Sequence, residues 1–388
     1  MVTEKSVLDV HVHLAGSGIL SEPHRDELVE RVGEARLRKL CTRALDGETG
    51  CFASRDWWKV FPVLAGCTGA GTPAADDFFI AEMLKKEVAE SCLVRQAVFL
   101  ALDQVYDADG YARPDATALH VPNDWVAAVV AAGGGKLLFG ASVHPGRPKA
   151  SDELRRIAAH GAVLIKWVPS AQDIKPDAPR HRSFYETMAE LELPLLSHVG
   201  EESALPCAYS GRPPLQDKGN PLQENNDPGR LRLALDCGVD VIAAPSASFC
   251  PAGEPGYMGV LQQMMTRAYP GKTSGGRLYC DLSAFVATPH ARLGHLKRIV
   301  GQFPQDRLVF GSDYPASMSR LDFARTQGVN WEDGWAEVTG TRNALDRCAK
   351  TVVIHGFSDS VLTNGYDVIR PVNTIPFGQW SKRWMPNV

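Results

Sequence analysis

Short runs of apolar and β-branched residues recur along the chain. Each is followed by polar or Gly/Pro-rich sequence and then by a stretch whose apolar positions have helical spacing. Eight such runs are expected as strands: Val7–Val12, Gln96–Leu102, Leu137–Ser142, Ala162–Trp167, Pro194–His198, Val239–Ala244, Arg277–Leu282 and Arg307–Ser312. From the second run on, their starts lie roughly 25 to 45 residues apart, the spacing of repeated strand–helix units around a parallel sheet. Several runs are apolar nearly throughout, as strands covered on both faces must be. Between them, Ser151–His160, Arg182–Glu192, Pro228–Cys237 and Arg292–Gln302 read as amphipathic helices.

Eight strand–helix units in one sheet close most simply into an α/β fold of the (β/α)8, or TIM, barrel type. An open doubly wound sheet is the alternative, weakened because no glycine-rich dinucleotide fingerprint follows the first run. Two regions break the rhythm. Residues 14–95 are long enough to form a helical insertion after strand 1, placed over the barrel mouth, and they carry Trp57 and Trp58. From about residue 351 the chain holds Pro371, Pro376, Pro386, Trp380 and Trp384, and is expected as an irregular extension along the outside of the barrel. The organisation predicted is one barrel over 1–350 with an extension over 351–388.

Composition narrows the setting. With 388 residues, 44% hydrophobic content and a net charge of −4, the chain is large enough for a sizeable core. It has no basic run to track phosphates and no apolar run long enough for a membrane span. Nine scattered cysteines with no C-x-x-C read as reduced, mostly buried thiols. These features predict a cytoplasmic protein acting on a small molecule, with no nucleic-acid or membrane partner. Barrels of this size commonly form homodimers.

The chemistry of a barrel lies at the carboxyl ends of its strands. The first run ends Asp9-Val10-His11-Val12-His13, and alternation turns His11 and His13 to one face. Two imidazoles so placed suit zinc, iron, nickel or copper. The fourth run carries Lys166, the fifth ends in His198 and the eighth leads into Asp313. Each has an ordinary reading when taken alone. His198 can be a hydrogen-bonded structural histidine, Asp313 can cap the turn before Tyr314-Pro315, and Lys166 can be a solvated strand end. A lysine within so apolar a run is nevertheless costly unless paired. Together, histidines and a carboxylate on one rim are the ligand set of a catalytic metal site.

The chain resembles the amidohydrolase superfamily, and within it amidohydrolase family 2, over roughly residues 7–350. The carriers are Asp9-Val10-His11-Val12-His13, Ser142-Val143-His144-Pro145-Gly146-Arg147-Pro148, Leu164-Ile165-Lys166-Trp167-Val168-Pro169-Ser170-Ala171-Gln172, Leu195-Leu196-Ser197-His198-Val199-Gly200-Glu201-Glu202 and Leu308-Val309-Phe310-Gly311-Ser312-Asp313-Tyr314-Pro315. The resemblance implies a distorted barrel with one or two divalent ions. It implies His11, His13, His198 and Asp313 as ligands, and Asp313 as the base for a metal-activated water attacking an amide, ester or lactone carbonyl. One zinc is expected, with manganese or iron as alternatives. In binuclear relatives a strand-four lysine is carboxylated and bridges two metals, which makes Lys166 both a candidate ligand and a candidate catalytic residue.

The sequence departs from that pattern at strand six. Val241-Ile242-Ala243-Ala244-Pro245 puts proline where the family places a histidine, and neither Ser246 nor Ser248 replaces an imidazole as acid or base. This opens further readings: a metal-dependent decarboxylase or hydratase acting on an aromatic or unsaturated acid, a Schiff-base enzyme using Lys166, and a barrel that binds without turnover. Arg147, whose guanidinium matches carboxylates, and Trp167 are candidate substrate-binding residues; a structural turn and plain packing are their ordinary readings. Glu201 or Glu202 is placed to orient His198 or to begin the next helix. Asp103 and Asp281 lie near the rim without an assigned role.

Overall fold

The structure, a computed structural model, describes residues 6–14, 43–44, 77–202, 205–210, 217, 219–245, 256–269, 275–283, 293–314, 337–338 and 340–370. Its centre is a sheet of eight parallel strands in sequential order. These are β1 (Val7–His13), β2 (Val94–Leu100), β3 (Leu137–Ala141), β4 (Ala162–Trp167), β5 (Leu195–His198), β6 (Val241–Ala244), β7 (Leu278–Asp281) and β8 (Leu308–Val309). The main helices are α1 (Asp77–Glu90), α2 (Asn123–Ala131), α3 (Ala150–Ala159), α4 (Arg182–Glu190), α5 (Arg232–Asp236), α6 (Gly256–Met265), α7 (Leu293–Gln302) and α8 (Ala344–Ile354). One stands between each consecutive pair of strands and α8 follows β8, so the expected TIM barrel is the fold.

The chain beyond β8 closes the ring against β1. Val10 N–H donates to the Phe310 carbonyl, Asp313 N–H to the His11 carbonyl and His13 N–H to the Tyr314 carbonyl, at 3.1, 2.9 and 2.8 Å. Asp9 reinforces this seam from within, since its buried Oδ1 accepts from the backbone N–H of both His11 and Ser312, each at 3.0 Å.

Strand alternation builds two apolar layers and one polar one. Outward positions such as Val7, Ile165, Trp167, Leu195 and Leu308 pack against the helices. Inward positions Leu8, Val10, Leu164, Leu196, Ile242, Tyr279 and Val309 fill the barrel interior. Two residues further along β4 to β8, the inward face carries Lys166, His198, Ala244, Asp281 and, just past β8, Gly311. On β1 this count would give Val12, yet Val12 belongs to the outer layer. A one-residue register shift between Asp9 and Val12, where three steps on β1 face two on β2, reverses the parity. The bulge keeps Val10 in the interior and still turns His11 and His13 toward the rim.

The helical insertion expected over 14–95 lies largely outside the described residues. Those described include Arg43–Ala44, which pairs with Leu119–His120, and α1, whose Ile80, Leu84 and Val88 pack on the outer core. The described part of the tail is ordered rather than irregular. After α8 the chain forms a 3-10 turn, Asp359–Leu362, and a helical turn, Gly365–Val368. Val368 and Ile369 then join the interior cluster with Leu8 and Val98, at the end of the barrel away from the histidines. The reason is physical: the interior at the amino ends of the strands is apolar and needs a cover. Residues 371–388 lie outside the described residues. No helix among the described residues is long and apolar enough to cross a membrane.

Candidate metal centre and active site

Three side chains from the two ends of the sheet meet at the closing seam. His11 Nε2 lies 3.0 Å from His13 Nε2, and Asp313 Oδ1 lies 3.0 Å from His13 Nε2 and 3.6 Å from His11 Nε2. Asp313 adopts a left-handed backbone (φ 57°), a conformation aspartate tolerates better than most residues. That turn brings the side chain back over the two histidines.

The set fits a single divalent ion. Bonds of about 2.1 Å put neighbouring donors about 3.0 Å apart at a right angle and about 3.4 Å apart at the tetrahedral angle. The observed separations of 3.0, 3.0 and 3.6 Å bracket those values. His198, the fourth expected ligand, lies outside the group whose donor atoms all fall within 4.8 Å of one another. Its Nε2 is nevertheless buried with no hydrogen-bond partner among the described residues, as an unused ligand nitrogen would be. Its Nδ1 is 3.3 Å from Glu202 Oε2, so of the two glutamates it is Glu202 that stands behind the histidine. Glu202 is fixed in turn, because its Oε1 accepts from Leu205 N–H and its backbone exchanges hydrogen bonds with the Gln223 amide.

Lys166 is 1% exposed, and its Nζ is 2.9 Å from His11 Nε2. Burial lowers its pKa, opposed by Asp313, Asp281 and Glu202. Burial and the Lys166 charge together hold His11 well below the usual histidine range, so it is a neutral imidazole with a lone pair to offer. Burial also pushes Asp313 up, but the His13 hydrogen bond and the electrostatic pull of the groups packed around it, Lys166 included, outweigh it and keep the carboxyl far below its ordinary range. His198 is lowered by burial, with Glu202 opposing.

Asp281, expected near the rim but given no role from the sequence, is brought against His11. Its Oδ2 sits 2.6 Å from His11 Nδ1, and Ser283 Oγ donates to its Oδ1 at 2.9 Å. The signal was available: Asp281 lies two residues past the inward-facing Tyr279, as Lys166 lies two past Leu164.

The remaining candidates stand apart from the cluster. His144 is held in a turn, its Nε2 2.9 Å from the Gln172 carbonyl and its Nδ1 accepting from Gly146 N–H. Arg147 donates to Asp103 at 3.1 Å, comes within 3.7 Å of Glu153 and lies over the Tyr106 ring. Asp103 also accepts from His144 N–H. Trp167 is not brought to the rim. Alternation points it opposite to Lys166, where it is fully buried against Phe184 and Tyr185 and its Nε1 donates to the Val143 carbonyl. Pro245 follows Ala244 at the carboxyl end of β6, and Ala244 belongs to the apolar interior cluster. Trp57, Trp58, Ser246 and Ser248 lie outside the described residues.

Among solved structures, the chain is similar to a probable 2-pyrone-4,6-dicarboxylic acid hydrolase from Acinetobacter baumannii, at 12% identity over 94% of this chain and 99% of that one, with a TM-score of 0.45. It is similar to a 2,6-dihydroxybenzoate decarboxylase at 14% identity, over 94% and 99%, with a TM-score of 0.46. A 4-oxalomesaconate hydratase from Rhodopseudomonas palustris gives 13% identity, over 93% and 97%, and a TM-score of 0.41. No curated protein matches the sequence. The profile of the family described as amidohydrolase matches residues 8–350. That match runs from β1 into α8 and takes in His11, His13, Lys166, His198 and Asp313, so the chain belongs to the amidohydrolase family of enzymes.

Proposed function

We propose that the chain is a metal-dependent hydrolase that holds one zinc ion on His11, His13, His198 and Asp313 and cleaves an amide, ester or lactone carbonyl of a small molecule. The observation that carries this reading is the meeting of His11 Nε2, His13 Nε2 and Asp313 Oδ1 at ligand spacing, beside the unpartnered Nε2 of His198. A divalent ion held there supplies Lewis acidity and a water acidified from ~15.7 towards ~7. Asp313 stays ionised across the working pH range, so its carboxylate takes up a proton when the donor has itself been acidified. Lys166 Nζ, kept from solvent, lies beside the same space, and as an ammonium it favours an anionic group on the substrate.

A second reading, a lyase acting on an aromatic or unsaturated carboxylic acid, draws on Pro245. With no imidazole at the end of β6, a proton shuttle common in the family's hydrolysis is missing, while Lys166 still suits a carboxylate. The test is a panel of amides, esters, lactones and aromatic acids with the zinc-reconstituted protein, reading both acid release and carbon dioxide. The hydrolase reading predicts acid release without carbon dioxide, reduced roughly 10²- to 10⁴-fold in Asp313→Asn. Carbon dioxide from the acids, with no carbonyl cleavage, would replace it with the lyase reading.

A further inference from the structure

We propose that Asp281 is a positioning residue for the metal centre, holding the Nδ1–H of His11 so that the Nε2 lone pair faces His13 and Asp313. The proposal deepens the metal reading and rests on it. A neutral imidazole carries one proton, and its place decides which nitrogen is free to ligate. Asp281 Oδ2 is 2.6 Å from His11 Nδ1, and both side chains are buried. At that distance the two atoms share one proton, and an ionised Asp281 accepts and does not donate, which puts the proton on Nδ1. His11 Nε2 is then left as the acceptor, and that atom lies 2.9 Å from Lys166 Nζ, 3.0 Å from His13 Nε2 and 3.6 Å from Asp313 Oδ1.

The carboxylate is itself held. Ser283 Oγ donates to Oδ1 at 2.9 Å, and Ser283 N–H reaches the same atom at 3.3 Å. Space for the pair is made just past β8, because a Cβ at Gly311 would lie 2.8 Å from His11 Cβ and 2.9 Å from Asp281 Oδ2. Residues on β1, on β7 and just past β8 therefore combine to set one proton. Carboxylates behind ligating histidines raise ligand basicity and fix ring orientation, and their loss typically weakens metal binding 10- to 100-fold.

The test uses the full chain with Asp281→Ala and Asp281→Asn. Asparagine keeps an oxygen to accept from Nδ1–H, and its amide can donate to Ser283 Oγ. Zinc affinity is read by chelator competition. The His11 tautomer is read on metal-free, 15N-histidine-labelled protein by long-range 15N–1H correlation, with His11→Ala assigning the signal. We expect Asp281→Ala to lose the Nδ1–H form and weaken zinc binding 10- to 100-fold, while Asp281→Asn keeps the tautomer and stays within about 10-fold of wild type. Unchanged tautomer and affinity in Asp281→Ala would overturn the proposal, as would an equal loss in both variants. If Asp281→Ala does not fold, Asp281→Asn decides: a retained Nδ1–H supports the role and a lost one removes it. Absence of zinc binding by the wild type would defeat the metal reading instead, and the metal-free tautomer comparison would still decide the part played by Asp281.

Discussion

At the residue scale, burial outweighs the neighbouring carboxylates at His11, His144 and His198. His144 shows it away from the metal cluster: burial, only partly opposed by Asp103, brings it down to about 4 from an ordinary 6.5. The unfolded chain therefore takes up a proton between pH 6.5 and 4 that the folded chain refuses, and stability from this residue falls as pH drops through that window, by up to about 3 kcal/mol. The stability of the wild type relative to His144→Gln should therefore shrink as pH is lowered from 7 to 4, measured by urea unfolding at each pH. A difference that stays constant would mean His144 titrates normally. At this scale the sequence was legible where chemistry is unusual for its surroundings, as with paired histidines or a lysine in an apolar run. Asp281 was placed near the rim without a role, because one aspartate in a strand resembles many others. Arg147 and Trp167 were chosen for what their side chains can do, whereas partners distant in sequence decide where they point: Asp103 and Glu153 for one, Phe184 and Tyr185 for the other.

At the element scale, parity does the positioning. All eight expected strands are present, and along β4 to β8 each inward residue above the apolar interior is found by counting two. The bulge in β1 is the exception, and a pattern of apolar and polar letters does not reveal it, since Val10, His11, Val12 and His13 read the same with or without it. It is fixed by pairing with β2 and by the seam to residues 310–314. Gly311 matters on the same ground. Gly311→Ala must push His11 and Asp281 apart, so it should weaken zinc binding by about the 10- to 100-fold expected for loss of the Asp281 contact. The melting temperature would report any wider damage. Unchanged zinc affinity in this variant would show that the seam is looser than these contacts imply.

At the scale of the whole molecule, the barrel separates chemistry from support. The histidines and Asp313 gather at one end, and Val368 and Ile369 cover the other. Ile369→Ala should therefore cost about 2–5 kcal/mol in urea unfolding while leaving zinc affinity unchanged. A loss of affinity without a loss of stability would contradict that division. The tail was the least legible element, because its role depends on an opening that exists only once eight strands have closed. The chemistry of the whole molecule turns on the metal centre, and the most direct measurement is metal content by mass spectrometry on protein purified without added metal. The wild type is compared with the His11→Ala/His13→Ala double variant. About one equivalent of zinc in the wild type, lost in the double variant, is the predicted result; no metal in the wild type even after reconstitution with zinc, manganese or iron would contradict it.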